Sequence, residues 1–299
     1  MVYIEIKKRS GKKYFYLVKT VRFEGKWKKL RKYIGENLSN DDVKEYSLLF
    51  EKTLKNSEFL DNERVNKIEK IRDKFNGYKK KGGKSGLDKF NEWFFTELTY
   101  NSNAIEGTSL SLRDTSMVIN ENIVPKNAEL REVNEAKNHK DALDFLLAYT
   151  GDINENLILK IHSIILKNID NENAGNYRKI HVFIRGENVN FPKPENVPEL
   201  MKDLIKWYKS NKSKIHAFEL AVIFSMKFVS THPFIDGNGR LSRLLMNYIL
   251  RKNGYPEINI YVKNRANYIK AVRKANDADY PMIIDFVYKT MQKNYEFLE

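Results

Sequence analysis

From residue 87 to the end of the chain, apolar residues recur at i, i+3 and i+4 in one segment after another. This spacing predicts helices over 87–105, 108–120, 129–148, 156–166, 197–209, 217–229, 240–252, 266–275 and 285–294. One interruption stands out. Over Lys179–Phe191 two short β-rich pieces flank Arg185-Gly186-Glu187-Asn188, which reads as a hairpin inserted between helices. The first 38 residues follow a different period. Val2, Ile4 and Ile6 alternate with Tyr3, Glu5 and Lys7, and Tyr14–Phe23 is rich in aromatic and β-branched residues. With turns at Ser10-Gly11 and Glu24-Gly25, a three-stranded antiparallel meander is the simplest arrangement. Between sheet and core, Val43, Tyr46, Leu49, Phe50 and Leu54 predict a helix capped by Asp41 or Asp42, and Val65, Ile68 and Ile71 a second one. The Gly- and Lys-rich stretch 77–86 reads as a linker. The chain is therefore mainly α with a small N-terminal β appendage, divided as 1–38, 39–86 and 87–299.

Charge sharpens that division. Of a net +14 over 299 residues, residues 1–38 carry +9, from twelve Lys/Arg against Glu5, Glu24 and Glu36. Such concentration suits a polyanion, which makes nucleic acid a candidate partner for residues 1–38. There are no cysteines, which removes disulfides, thiolate metal sites and a Cys nucleophile. No apolar run approaches the ~18–20 residues that span a bilayer, and no secretory signal pattern opens the chain. The expectation is a cytoplasmic protein without a membrane partner.

Two glycine-rich segments could hold phosphate. Gly83-Lys84-Ser85 matches the end of a P-loop, but the motif needs glycine where Tyr78 stands, and no buried strand leads into it. The second segment is Ser230-Thr-His232-Pro-Phe-Ile-Asp236-Gly-Asn-Gly-Arg240-Leu-Ser-Arg243. An apolar helix precedes it and Pro233 ends that helix; another apolar helix follows from about Arg240. Gly237, Asn238 and Gly239 let successive N–H groups converge on an anion, and the next helix adds the positive end of its dipole. Arg240 and Arg243, three apart, can grip neighbouring phosphates. Asp236 offers a carboxylate to Mg²⁺, and His232 stands close enough to take a proton. A solvated interhelical turn would not need seven such groups within twelve residues.

This segment resembles the Fic signature, His-x-Phe-x-(Asp/Glu)-Gly-Asn-Gly-Arg-x-x-Arg, at every fixed position. The resemblance extends over about residues 88–290, including Ala174-Gly-Asn-Tyr-Arg178 ahead of the hairpin. It implies a Fic-like helical core with a β-hairpin flap, and transfer of AMP from ATP to a Ser, Thr or Tyr hydroxyl of a protein. By that analogy His232 is the general base, Asp236 holds the Mg²⁺ of the bound ATP, and Gly237, Asn238, Gly239, Arg240 and Arg243 bind its phosphates. Lys179, Ile180, His181, Val182, Phe183 and Ile184 correspond to the flap strand that pairs with a target segment. The target can be another protein or the chain itself, and a homodimer fits the resemblance.

A second similarity lies upstream. Ser102-Asn-Ala-Ile-Glu106-Gly107 fits the family's inhibitory pattern, (Ser/Thr)-x-x-x-Glu-(Gly/Asn). Glu106 would then compete for Arg243 in the place of the γ-phosphate. The same glutamate supports an alternative, a hydrolase that removes AMP from its target. A different class of function, a nucleic-acid-binding regulator reading through the basic sheet, also remains. Arg178 reads as a structural salt link, and Asn264, Arg265 and Tyr268 as residues closing the nucleotide pocket. His139, His162, His181 and His216 lack metal-site spacing and read as ordinary helix or flap residues.

Overall fold

The computed structural model describes residues 2–23, 26–44, 57–183 and 189–298. Strands β1 (Val2–Arg9), β2 (Lys12–Phe23) and β3 (Lys26–Glu36) form one antiparallel sheet in the order β1-β2-β3. The β1–β2 turn uses positive φ at Ser10 and Gly11, as a two-residue hairpin requires. Its register places Ile4 opposite Leu17 and Ile6 opposite Phe15, so alternation gathers these four on one face. The expected turn at Glu24-Gly25 lies outside the described residues.

Ser39 opens the following helix. Its hydroxyl accepts the Asp42 N–H at 3.2 Å while Asp42 accepts the Ser39 N–H at 3.0 Å, a reciprocal capping box. The cap is thus Ser39 rather than Asp41 or Asp42, and Asp42 serves from the third helical position. Tyr46, Leu49, Phe50 and Leu54 lie outside the described residues.

Helix α1 (Asn62–Glu106) is two helical halves joined by a kink at Gly83, within the segment expected to be a linker. Only Gly83 leaves helical geometry, at φ 57° and ψ −163°, a conformation glycine adopts without a Cβ penalty. Lys80 and Lys81 are exposed, whereas Lys79 is half-buried and lies over the Phe75 ring at 4.9 Å. Phe75 contacts both Phe90 and Tyr295, so the two halves are tied across the bend by aromatic packing. Helices α2 (Leu112–Asn120), α3 (Leu130–Ala148), α4 (Glu155–Ile165) and α5 (Val197–Asn211) follow. The series continues with α6 (Ala217–Thr231), α7 (Asn238–Lys252), α8 (Arg265–Asn276) and α9 (Pro281–Asn294).

The core is built around α6 and α7. From Ala217 to Phe228 nearly every side chain of α6 is buried, including Leu220, Val222, Phe224 and Phe228, which is the signature of a helix surrounded on all sides. Glu219 is the one acid among them. Its carboxylate accepts the N–H groups of Glu58, Phe59 and Leu60 at 2.8–2.9 Å and the Ser57 hydroxyl at 2.5 Å. A charge that costs several kcal/mol to desolvate is thereby satisfied and anchors the segment ahead of α1. Helix α7 packs along α6, and the six-residue turn 232–237 between them carries the motif. Among the described residues, no helix is long and apolar enough to cross a membrane.

The expected hairpin is only partly described. Residues 179–183 and 189–191 carry no strand, and Ile184 with the turn at 185–188 lies outside the described residues. Phe183 and Ile180 are nonetheless strongly exposed apolar side chains.

Candidate active site

His232 terminates α6 in the left-handed region, at φ 46° and ψ 59°. A non-glycine residue there needs support. Its own N–H is shared between the Phe228 and Val229 carbonyls at 3.1 and 3.0 Å, and its carbonyl accepts the Arg178 Nε at 2.8 Å. The Phe191 ring stacks on the imidazole at 4.1 Å and 29°. Burial drives the imidazole pKa down to about 4, against the opposing pull of the Val229 carbonyl. The ring is therefore neutral at physiological pH. Its Nδ1 is buried and has no hydrogen bond of ordinary geometry.

The turn after it is self-braced. Asn238 accepts the Phe234 N–H at 3.0 Å and donates to the Phe234 carbonyl at 2.8 Å, so its side chain locks the turn. Phe234 is fully buried and lies flat on His162 at 3.6 Å. His162 in turn receives the Gly175 N–H on Nδ1 at 2.9 Å, which leaves Nε2–H to donate to the Asp236 carbonyl at 3.0 Å. Burial holds this histidine's pKa near 4 as well, keeping the ring in the single-proton form that bridges both partners. Gly237 takes φ 79° as the N-cap of α7, pressed against Leu166 and Ile165 where a Cβ would crowd.

Helix α7 begins at Asn238, two residues earlier than the expected start near Arg240. The first helical bond runs from the Leu241 N–H to the Gly237 carbonyl at 2.9 Å. The N–H groups of Asn238, Gly239 and Arg240 consequently have no intrahelical acceptor, and they crown a helix N-terminus. A helix N-terminus of this kind can receive an anion.

The charged residues around it are paired among themselves. Asp236 accepts from Arg240 at 3.0 Å, from Arg131 at 2.7 Å and from the Gly237 N–H at 2.5 Å. Burial alone would raise its pKa, but Arg240, the Gly237 N–H and Arg131 together hold it below the usual range. Arg240 is buried and also meets Glu135 at 3.2 Å, and Arg131 meets the same Glu135 oxygen at 3.2 Å. Arg131 and Glu135 were not anticipated. Their i, i+4 spacing on α3 was visible, but nothing local connects them with a turn a hundred residues away.

Arg243 is buried beside the end of α1. Its Nε donates to the Ser102 hydroxyl at 3.0 Å, and Nη2 donates to the Ser102 carbonyl and to Glu106 Oε1, both at 2.8 Å. Burial would lower this guanidinium's pKa, but Glu106 and Tyr268 raise it. Glu106 is the last residue of α1, and Gly107 closes the helix at φ 111°. The glutamate lies against the backbone of Gly239, so closely that a Cβ at that position would overlap the carboxylate. Arg265 caps the same helix end by donating to the Ile105 carbonyl at 2.6 Å. Beneath both arginines His139 is fully buried against Thr99, and burial lowers its pKa to about 3 with Arg243 and Arg240 adding to the effect.

Arg178 departs from its expected role. Among the described residues no carboxylate forms an ion pair with it; its guanidinium donates to the carbonyls of His232, Ile180 and Pro192 at 2.8, 3.1 and 2.6 Å, and its own N–H donates to the Pro233 carbonyl at 2.9 Å. One buried side chain thus joins both ends of the flap segment to the turn of His232.

Residues 152–250 match the family model described as Fic/DOC. These residues form a Fic domain. Similarity to Fic proteins continues on either side of it. The chain is 31% identical to the protein adenylyltransferase Fic of Nematostella vectensis, over 79% of this chain and 56% of that protein. It is 32% identical to the protein adenylyltransferase fic-1 of Caenorhabditis elegans, over 77% and 46% respectively. The chain thus spans about half the length of these relatives. A solved structure of Fic-1 from C. elegans superposes with a TM-score of 0.69 at 28% identity, covering 86% of this chain and 73% of that one. A Fic domain-containing signaling protein from Bacteroides thetaiotaomicron gives 0.69 at 25% identity, covering 76% and 95%. The C-terminal end of α1, at Glu106, and the Fic domain meet at Arg243.

Proposed function

We propose that this chain is a protein adenylyltransferase, moving AMP from ATP to a protein hydroxyl, and that Glu106 restrains it. What carries the reading is one convergence. A neutral imidazole, a helix N-terminus lined by glycine, and a carboxylate meet within the six-residue turn between α6 and α7. The names of the relatives supply the reaction class.

Each residue then has a defined task. His232 takes the proton of the acceptor hydroxyl as that oxygen attacks the α-phosphorus; the bond to the β-phosphate breaks and pyrophosphate leaves. The free N–H groups of Asn238, Gly239 and Arg240 line up with the diphosphate. Arg243 is the cation for the far phosphate once Glu106 has released it.

Among the described residues no cluster of three or more His, Cys, Asp or Glu forms a metal cage. A single carboxylate, Asp236, fits a Mg²⁺ that arrives with nucleotide phosphates and keeps most of its oxygen ligands from them. Bound there, the ion would offset charge on the departing pyrophosphate. Arg131 and Arg240 must loosen their hold on Asp236 for this to happen.

The test is ATP-dependent protein labelling by wild type, Glu106→Gly and His232→Ala. Strong labelling by Glu106→Gly alone supports the proposal. Silence in that variant, together with release of AMP from a modified target by wild type, would favour the hydrolase reading instead.

A further inference from the structure

The N-terminal sheet carries an arrangement that AMP transfer does not use. Strand register places Tyr3, Tyr14 and Tyr16 on one face, with Tyr33 directly opposite Tyr16 and Arg31 opposite Val18. Tyr33 meets Tyr16 at 5.4 Å and Tyr14 at 6.3 Å in tilted contacts. Tyr3 and Tyr33 remain 42% and 49% exposed, well above what a packed sheet face leaves to aromatic rings. Cations are interleaved with them. Lys7 lies over the Tyr16 ring at 5.6 Å, and Lys29 and Arg31 follow on β3. The described acids of this face, Glu5 and Glu36, are already paired with Arg31 at 2.7 Å and Lys12 at 3.0 Å. The opposite face holds Ile4, Ile6, Phe15 and Leu17 together with Lys8 and Lys13, so both faces carry cations and the tyrosine rings are what distinguish this one.

We propose that this tyrosine-bearing basic face, centred on Tyr3, Tyr16 and Tyr33, is a binding platform for single-stranded nucleic acid. The occupant follows from two complementarities. A local net charge of +9 in 38 residues calls for a polyanion. Exposed rings alternating with cations suit a strand whose bases are free to stack while its phosphates reach Lys and Arg. A duplex hides its base faces and could use only the charge. The proposal is independent of the AMP-transfer reading, since none of these residues touches the turn of His232.

The experiment is fluorescence anisotropy of the full chain with a labelled 15-nucleotide oligo(dT), and with a duplex of the same length. The single strand should bind at least tenfold more tightly than the duplex. Neutralising about four phosphates implies a loss on the order of 50-fold in affinity between 50 and 200 mM salt. Replacing Tyr3 and Tyr33 together by Ala should weaken binding by roughly 10- to 100-fold, while Phe at both positions retains it. Equal or tighter binding of the duplex, or an unaltered affinity in the Ala pair, would mean simple charge attraction and overturn the platform. No binding at 50 mM salt would overturn it outright. The comparison of single strand with duplex uses the native chain, so it holds even if the Ala pair disturbs the sheet.

Discussion

The Glu106 carboxylate and the Arg243 guanidinium meet at 2.8 Å, although 137 residues separate them, and the carboxylate rests on the backbone of Gly239. One side chain therefore bears on two parts of the motif at the start of α7. It neutralises the arginine and fills the space above the helix N-terminus. Arg243 is buried whereas Glu106 is exposed, at the end of a helix closed by Gly107.

Removing that carboxylate should raise AMP transfer. With Glu106→Gly the arginine keeps its two bonds to Ser102 and gains a vacancy suited to a phosphate. A misaligned phosphoryl group costs roughly 10²-fold in rate, and relief should be of that order. Labelling with radiolabelled or tagged ATP reads it directly. Labelling by Glu106→Gly no stronger than wild type would dispose of the restraint.

His232→Ala should reduce labelling by roughly 10²- to 10⁴-fold, the usual worth of a positioned base. Measured in the Glu106→Gly background, the pH–rate profile carries a further signature. Burial lowers the His232 pKa to about 4, so its acidic limb should fall near that value rather than near the ordinary 6.5 of histidine. A limb centred at 6.5 would show that the base in action is not this buried imidazole.

Arg178 should matter for the chemical step more than for nucleotide binding. It contacts backbone carbonyls of His232, Ile180 and Pro192, and no phosphate-binding group. Arg178→Ala releases the carbonyl that supports the left-handed turn at His232. In the Glu106→Gly background we expect kcat to fall at least roughly tenfold with the dissociation constant for ATP unchanged within about twofold. Lysine can serve only one of the three acceptors and should restore activity partially. A matching loss in ATP affinity would instead place Arg178 in the nucleotide site.

What could be read from the sequence was what is local. The motif turn is legible because His232, Asp236, the glycines and the two arginines fall within twelve residues between two apolar runs. The Arg178 contacts were not legible, because its acceptors are backbone carbonyls, which any residue would supply. His162 reads from the sequence as an ordinary helix residue, because its contacts are with Phe234 and Asp236, more than seventy positions away. In the expected linker at 77–86 the break is confined to the kink at Gly83, with helix on both sides of it. Glycine and lysine have no apolar period of their own, and the helix there is carried by Phe75 and Phe90 on either side. Local composition was overridden by packing on both sides of Gly83.

Buried histidines give the fold a specific acid sensitivity. His139 and His162 are fully buried, and burial lowers their pKa to about 3 and about 4. In the unfolded chain each titrates near 6.5. Between 6.5 and the folded value, the unfolded state holds a proton that the folded state excludes, so stability must fall as pH falls through that window. Each group contributes a slope of about 1.4 kcal/mol per pH unit while the window lasts. Urea unfolding at pH 7.5, 6.0, 5.0 and 4.5 should show a steady decline that begins near 6.5. Substituting His139→Gln keeps a group able to meet Thr99 but removes one titration, and its stability curve should be shallower by about one proton over that range. A curve parallel to wild type would show that His139 is not the neutral residue that burial beneath Arg240 and Arg243 demands.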